Sequence, residues 1–394
     1  MENAQFAHES EYSKKPEVIS VANGRFHLIG EHSWFCKDKT LSMTVNMPVY
    51  IAVSRREDSL LKFYFCQTNE RKRSNLAAMK FKKEDKWANA LKAMIFGFDS
   101  IGFEVTGMNF TIYSDILPSA GFGITTAIKV AVSYALNKLY DFKCSDEQIL
   151  KVIELGNKLF LNRGNYIADN FAAIYAKEDS VILTDHAYRS FKIIPFHFKD
   201  KTIMLTDTKV RRVSLWNEDS IRQLEHVLLL GELKTLKSNV YGGWTYEDNP
   251  VEVNEVLSLV SEDIRRRLLC IMKEHTCVLD ALKAIFSDSF GGFARAVNRS
   301  YESLRDLYDI SCPEIDWILK RLQKINPKNS DIRNPSSCGR ITGKGFGRCV
   351  YTIMNSGDVA DFKNKLSEYE KIFGFHPECY EVKPAGGAGF VDVE

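Results

Sequence analysis

The chain has 394 residues, 45% hydrophobic and 26% charged, with Lys+Arg 53 against Asp+Glu 51 and a formal net charge of +2. That length is too great for one simple core, so two domains are expected, with the composition of a soluble globular protein. The near-balance of charge gives no electrostatic case for nucleic acid or an anionic membrane as the main partner. Short basic runs such as Arg71-Lys72-Arg73 and Arg265-Arg266-Arg267 read as solvated faces.

The first residues, MENAQFAHESEYSKKPE, are polar and lack an apolar signal core. Nine cysteines are scattered along the chain without a CxxC pair or a histidine cluster at metal-ligand spacing, which fits reduced thiols. A cytoplasmic protein is therefore expected. Runs rich in Val, Ile, Phe and Tyr predict strands over 25–29, 48–54 and 60–66, then a helix over 86–96 and a strand over 109–113. A loop of small residues, 118–126, leads into an apolar-faced helix, 127–140, and Lys129 interrupts its most apolar stretch. A second helix is expected over 145–160, where Ser145 stands three residues before Gln148 as in a capping box. Further on, the pattern predicts a strand over 201–206 and helical stretches over 219–236 and 255–322. A Gly-rich segment, 339–347, then enters a strand over 349–354. No internal repeat is visible. The pattern reads as an α+β protein of two lobes, 1–200 and 201–394.

Three places carry polar residues that suggest chemistry. Ser119-Ala-Gly-Phe-Gly-Ile-Thr-Thr126 puts small residues between a strand and a helix start, where backbone N–H groups and the positive helix end receive anions. An ordinary turn with a Thr cap is the competing reading. Arg25, Glu31 and His32 crowd the strand GRFHLIGEH, where buried polar groups need partners or a ligand. Asp169, in YIADNF, is either a helix-start residue or a functional carboxylate.

Six segments in order resemble the galactokinase branch of the GHMP small-molecule kinases. GRFHLIGEH at 24–32 is similar to G-R-x-N-L-I-G-E-H, and KWANALKA at 86–93 to W-x-N-Y-V-x-G. Residues 118–127 resemble P-x-G-x-G-L-S-S-S-A, and Asp169-Asn170-Phe171 resembles part of M-D-Q-F. YDISCPEID at 308–316 is similar to Y-E-V-S-C-P-E-L-D, and ITGKGFGRC at 341–349 to M-T-G-G-G-F-G-G-C. The resemblance implies a two-lobed GHMP kinase fold. Its N-terminal mixed-sheet lobe, 1–200, would hold a left-handed βαβ-type phosphate-loop unit, and its C-terminal lobe, 201–394, would be α+β. It implies ATP-dependent phosphorylation of the anomeric hydroxyl of a hexose, galactose the first candidate, with Mg²⁺. Asp169 falls on the catalytic carboxylate and Arg25 on its partner. Glu31 and His32 fall on residues that hold sugar hydroxyls, and Trp87 lies near the adenine. Gly121, Gly123, Thr125 and Thr126 line the nucleotide phosphates, and Thr126, Asn157 and Glu154 are the candidate metal ligands. The partners are the sugar and ATP, and a monomer or weak dimer is expected.

The departures from the family pattern are concentrated at these contacts. Ser33-Trp34-Phe35 stands where the family has T-D-Y, and Tyr166 stands where it has a glycine. Trp34 and Tyr166 either form an aromatic platform for a sugar face or fill the pocket. Phe122 replaces a loop glycine, so the loop is expected to turn at Gly121 and Gly123 instead. Asn157 replaces a metal-binding Glu, with Glu154 one turn earlier as a possible substitute. Lys344 and Arg348 replace glycines and are read either as anion-binding cations or as exposed basic residues. Two functions follow from these changes: an active sugar-1-kinase, or a catalytically silent sugar- or nucleotide-binding regulator.

Overall fold

The computed structural model describes residues 2–33, 38–116, 121–164, 166–210, 257–258, 261–325, 333–343, 345 and 347–393. The strands are β1 (Val18–Ile29), β2 (Lys39–Arg55), β3 (Leu60–Phe65), β4 (Glu70–Asn75), β5 (Met108–Ser114), β6 (Ser180–Asp185) and β7 (Ser190–Pro195). They continue as β8 (Lys201–Asp207), β9 (Cys338–Ile341), β10 (Cys349–Asn355), β11 (Glu378–Val382) and β12 (Gly389–Val391). Eight of them form a mixed sheet in the order β12-β1-β2-β5-β3-β4, with β6 pairing to β2 and β7 to β6. A second, antiparallel sheet has the order β11-β8-β10-β9. The chain enters this second sheet at Lys201. It returns to the first at its end, where Ile19 pairs with Val391 and Val21 with Gly389.

Helix α1 (Glu2–Tyr12) precedes β1, α2 (Ala88–Asp99) lies between β4 and β5, and α3 (Ile124–Leu139) and α4 (Asp146–Leu155) follow β5. Next come α5 (Ile167–Tyr175), α6 (Glu262–Phe286), α7 (Phe290–Asp306), α8 (Pro313–Gln323) and α9 (Val359–Phe373). The capping box forms as expected: Ser145 Oγ accepts the Gln148 N–H at 3.3 Å while Gln148 Oε1 accepts the Ser145 N–H at 2.9 Å. The helix does not run regularly to 160, however, because Gly156–Phe160 is a π-helical turn. Only glycine fits at the start of this turn, since a Cβ on Gly156 would lie 2.4 Å from the Ala93 carbonyl oxygen. The stretch expected as helix over 255–322 is three helices in its described part from 261 on. Asp288, at φ +48°, separates the first two, and Pro313 starts the third. The helix expected over 219–236 lies outside the described residues.

One hydrophobic core spans both sheets. It joins Phe26, Leu28 and Val132 to Val278, Phe293 and Tyr351, all essentially inaccessible. A smaller core of Leu304, Ile318, Leu322, Met354 and Phe362 lies under α8 and α9. Burial on this scale is what stabilises a chain of this length.

Helix α1 docks through a buried histidine. His8 Nδ1 lies 3.0 Å from Thr111 Oγ1 and Nε2 2.9 Å from Ser54 Oγ. Burial, with Lys14 adding to it, lowers its pKa from 6.5 to about 4. Between those values the unfolded chain takes up a proton that the folded one refuses. Folding stability therefore falls as pH drops through this window, by about 3 kcal/mol when it is complete. Thermal melting at pH 7 and pH 5 is expected to show a smaller acid loss for His8→Asn than for the native chain. Equal losses would remove His8 as the cause.

Candidate active site

Alternation along β1 places Arg25 and His27 on one face, two residues apart, and register shifts on either side of them bend the strand. Both side chains meet Asp169, in the first turn of α5. Arg25 Nη2 donates to Asp169 Oδ2 at 2.5 Å, and His27 Nε2 lies 2.9 Å from Oδ1. Thr126 Oγ1, in the first turn of α3, donates to Oδ2 at 3.3 Å. Asp169 retains 17% side-chain exposure and Arg25 10%, so the pair is held tightly and still reaches the surface. Burial alone would raise the Asp169 pKa. The Arg25 charge and the His27 hydrogen bond outweigh it and hold the carboxyl far below its ordinary range. This carboxylate is ionised at any physiological pH.

Sequence reasoning brought out Arg25 and Asp169 but not His27, which stands where the family pattern has Asn. Its Nδ1 lies 2.8 Å from Ser42 Oγ, directly across the β1–β2 ladder. Tyr166 closes over it: its ring meets His27 edge-on at 5.2 Å and stacks on His186 at 5.3 Å, and its hydroxyl lies 3.0 Å from Thr40 Oγ1. Tyr166 is thus one member of a packed ring pile beside the Arg25–Asp169 pair. Burial first, then His27, lowers His186 to about 4, so this pile is neutral at its outer end. Trp34 lies outside the described residues.

In the described part of the loop, from residue 121 on, the chain turns at the two glycines where it was expected to. Gly121 and Gly123 adopt φ +82° and +67°, while Phe122 does not need positive φ and buries its ring against Phe26. Gly123 caps α3 in the left-handed conformation, directing the helix N-terminus toward Arg25 and Asp169. Arg25 Nη1 donates to the Gly121 carbonyl at 3.0 Å, and the Arg25 N–H donates to the Phe122 carbonyl at 2.9 Å, so strand and loop are locked together. A Cβ on Gly123 would stand 2.8 Å from Arg25 Cζ. Gly123→Ala is expected to cost about 1–3 kcal/mol and to lower turnover by displacing Arg25. Denaturant unfolding and an ADP-release assay check this, and a fully active, fully stable variant would contradict it. Thr125, beside Thr126, is exposed at the same helix start. Trp87 lies farther off at the start of α2, with Nε1 donating to Glu70 Oε2 at 2.6 Å and its ring against Phe65.

Glu31 and His32 follow the end of β1. Both Glu31 oxygens accept from Arg340 Nη1 at 2.6 Å. Whatever Glu31 offers a sugar, it offers from a carboxylate already fixed by a guanidinium. Arg340, on β9, is wholly buried, and its Nη2 donates to Glu274 Oε1 at 2.8 Å. His32 packs its ring at 5.5 Å from that of Tyr308. Nothing in the local pattern of SSCGRITG marked Arg340, because its partners are far away in sequence.

The candidate metal ligands do not assemble. Glu154 Oε1 accepts from Arg189 Nη2 at 2.5 Å, Thr126 is turned to Asp169, and Asn157 Oδ1 accepts from Lys129 Nζ. Among the described residues no group of three or more His, Cys, Asp or Glu side chains could hold a metal ion. A hard cation seeks free, preferably anionic, oxygen, and here the relevant oxygen faces an ammonium group. Asn157, with its amide oxygen on an ammonium, and Glu154, paired with Arg189, do not fit the part of Mg²⁺ ligands. Arg348 is turned to Asp207, at 3.2 Å, while Lys344 lies outside the described residues.

Comparison with known proteins agrees with this layout. Residues 7–55 match the galactokinase galactose-binding signature, residues 87–177 the GHMP kinases N terminal domain, and residues 281–372 the GHMP kinases C terminal family. A Treponema pallidum (strain Nichols) protein named "Putative galactokinase" is 36% identical, covering 98% of this chain and 96% of its own length. A galactokinase of Thermotoga maritima is 26% identical over 93% of this chain and 98% of its own. The crystal structure of Lactococcus lactis galactokinase complexed with galactose superposes with a TM-score of 0.88 at 19% identity, covering 99% of both chains. A mevalonate kinase structure gives a TM-score of 0.65 at 15% identity, over 94% of this chain and 100% of its own. The two-lobed GHMP fold and the galactokinase signature occur in one chain with a close full-length relative, and the chain belongs to the galactokinase family of GHMP sugar-1-kinases.

Proposed function

We propose that the chain transfers the γ-phosphoryl group of ATP to the anomeric hydroxyl of galactose. The observation that carries this is the carboxylate of Asp169, held ionised by Arg25 and His27 beside the N-terminus of α3. Phosphoryl transfer needs chiefly positioning and charge stabilisation. Asp169 orients the sugar hydroxyl and takes its proton as the O–P bond forms. Its low basicity places that proton transfer late in the step, when the hydroxyl has become acidic. Arg25, fixed by Gly121 and Phe122, offsets charge on the transferring group, and the helix end receives the phosphates. Gly121, Gly123, Thr125 and Thr126 serve the nucleotide, with Trp87 toward the base. Glu31, His32 and Tyr166 serve the sugar side, the side to which the family resemblance also assigns Trp34. Any Mg²⁺ arrives with ATP, and no described residue is assigned to it.

The silent-regulator reading is not favoured, because the acid–guanidinium pair and the helix end that the reaction uses are assembled. No described helix is long and apolar enough to cross a membrane, and the eight described cysteines are unpaired. We assign the protein to the cytoplasm, as a monomer or weak dimer with lobes 1–200 and 201–394, the last strand returned to the first lobe. The test is incubation of the purified chain with ATP and galactose, N-acetylgalactosamine or other hexoses, following ADP release and sugar 1-phosphate by ³¹P NMR. Galactose is expected to be phosphorylated best. No turnover on any sugar would overturn the proposal.

A further inference from the structure

Lys129 is a misfit in its helix. It lies in α3 among Ala127, Ile128, Val130, Ala131 and Val132, all buried, yet it carries a charge and is itself only 8% exposed. A buried ammonium is retained only with partners. Its Nζ donates to Asn157 Oδ1, on the π-helical turn that follows α4, where the resemblance puts a metal-binding carboxylate. The turn is fixed at that point by the contact of Gly156 with Ala93, so Asn157 is held in place rather than loosely presented.

Lys129 lies one turn along α3 from Thr126, whose hydroxyl touches Asp169. Burial and Arg163 disfavour the Lys129 ammonium while Asp169 favours it, so it stands within the charge field of the Asp169 carboxylate. Amide and ammonium form a matched donor–acceptor pair, whereas a carboxylate there without the lysine would attract a metal. The neighbouring Glu154, the other candidate ligand, is committed to Arg189.

We infer that the Lys129 ammonium, seated on Asn157, takes the place of a protein-held divalent cation beside the nucleotide phosphates. The positive charge at this corner is covalently built in, and the protein contributes no metal ligand of its own. Residues 129 and 157 form one exchangeable unit: ammonium with amide here, metal with carboxylate in the family pattern. This rests on the kinase reading, since it takes the N-terminus of α3 as the phosphate site.

The test is calorimetric binding of AMPPNP to the full chain with Mg²⁺ and, separately, with EDTA. The native chain is expected to bind within about threefold under both conditions. Lys129→Met is expected to lose at least tenfold in EDTA. Lys129→Met combined with Asn157→Glu is expected to bind at least tenfold more tightly with Mg²⁺ than without it. Circular dichroism melts of each variant check folding. Asn157→Glu alone, which keeps the lysine paired, serves if Lys129→Met does not fold, and is expected to remain insensitive to Mg²⁺. Native binding that Mg²⁺ strengthens tenfold or more overturns the inference while leaving the kinase reading intact. So does a double variant indifferent to the metal. Absence of AMPPNP binding under every condition would remove the nucleotide site and the inference together.

Discussion

Arg340→Met is expected to lower the unfolding free energy by about 3–5 kcal/mol, the range for removing one member of a buried ion pair. Arg340 has no exposed surface and satisfies four acceptors: both oxygens of Glu31, Glu274 Oε1 and Ser300 Oγ. Glu274 also receives the Gly30 N–H at 2.6 Å and the Ser300 hydroxyl at 2.6 Å. The guanidinium thus ties the end of β1 to α6, α7 and β9, elements that come from both lobes. Burial alone would raise both carboxyls. Arg340 more than reverses this for Glu31, while Glu274, which also feels Glu31, stays above its ordinary range. In the variant both carboxylates lose their cation and their pKa values rise. A carboxyl whose folded pKa exceeds its unfolded one stabilises the fold at low pH, and that stability is lost as pH climbs through the folded value. The variant is therefore expected to be less unstable at pH 5.5 than at pH 8, measured by urea midpoints at both. A loss below about 1 kcal/mol, or one that does not change with pH, would show that the network is not what joins the lobes.

How much of this was legible in the sequence follows from how local each signal is. Gly121, Gly123 and the Ser145–Gln148 box act through backbone conformation within a few residues, so their pattern suffices to place them. Asp169 and Arg25 could be named because their flanking segments resemble a family. Nothing local says that a guanidinium at 25 reaches a carboxylate at 169. His27, Glu274 and Arg340 escaped for that reason: each is one polar residue in an apolar element, and its partner is fixed only when sheets and helices close. Lys129 did leave a trace, as the charge that interrupts the apolar run of α3, yet that trace identifies a problem of burial and not its solution at Asn157. The three-residue strand 389–391 has no partner in sequence range and is defined only by pairing with β1.

Asp169→Asn is expected to cut kcat by about 10²–10⁴-fold, the usual worth of a positioned general base. Asn is nearly isosteric, so contacts with Arg25 and His27 can persist with little movement, while the charge that aligns and finally accepts the hydroxyl proton is gone. Because the carboxylate does its work late and away from the nucleotide base, KM for ATP is expected to move less than threefold. The native enzyme is expected to show no acid limb from this group above ~pH 4, since Arg25 and His27 keep its carboxyl below the ordinary carboxylate range. Neutralising the partner instead, by Arg25→Met, should shift that limit upward, because burial then acts on Asp169 with less opposition. Steady-state ADP release from pH 4.5 to 8.5 for native, Asp169→Asn and Arg25→Met proteins separates these effects. Residual kcat within tenfold of native in the Asn variant would show that positioning by the helix end and the guanidinium carries the reaction, with the carboxylate a bystander.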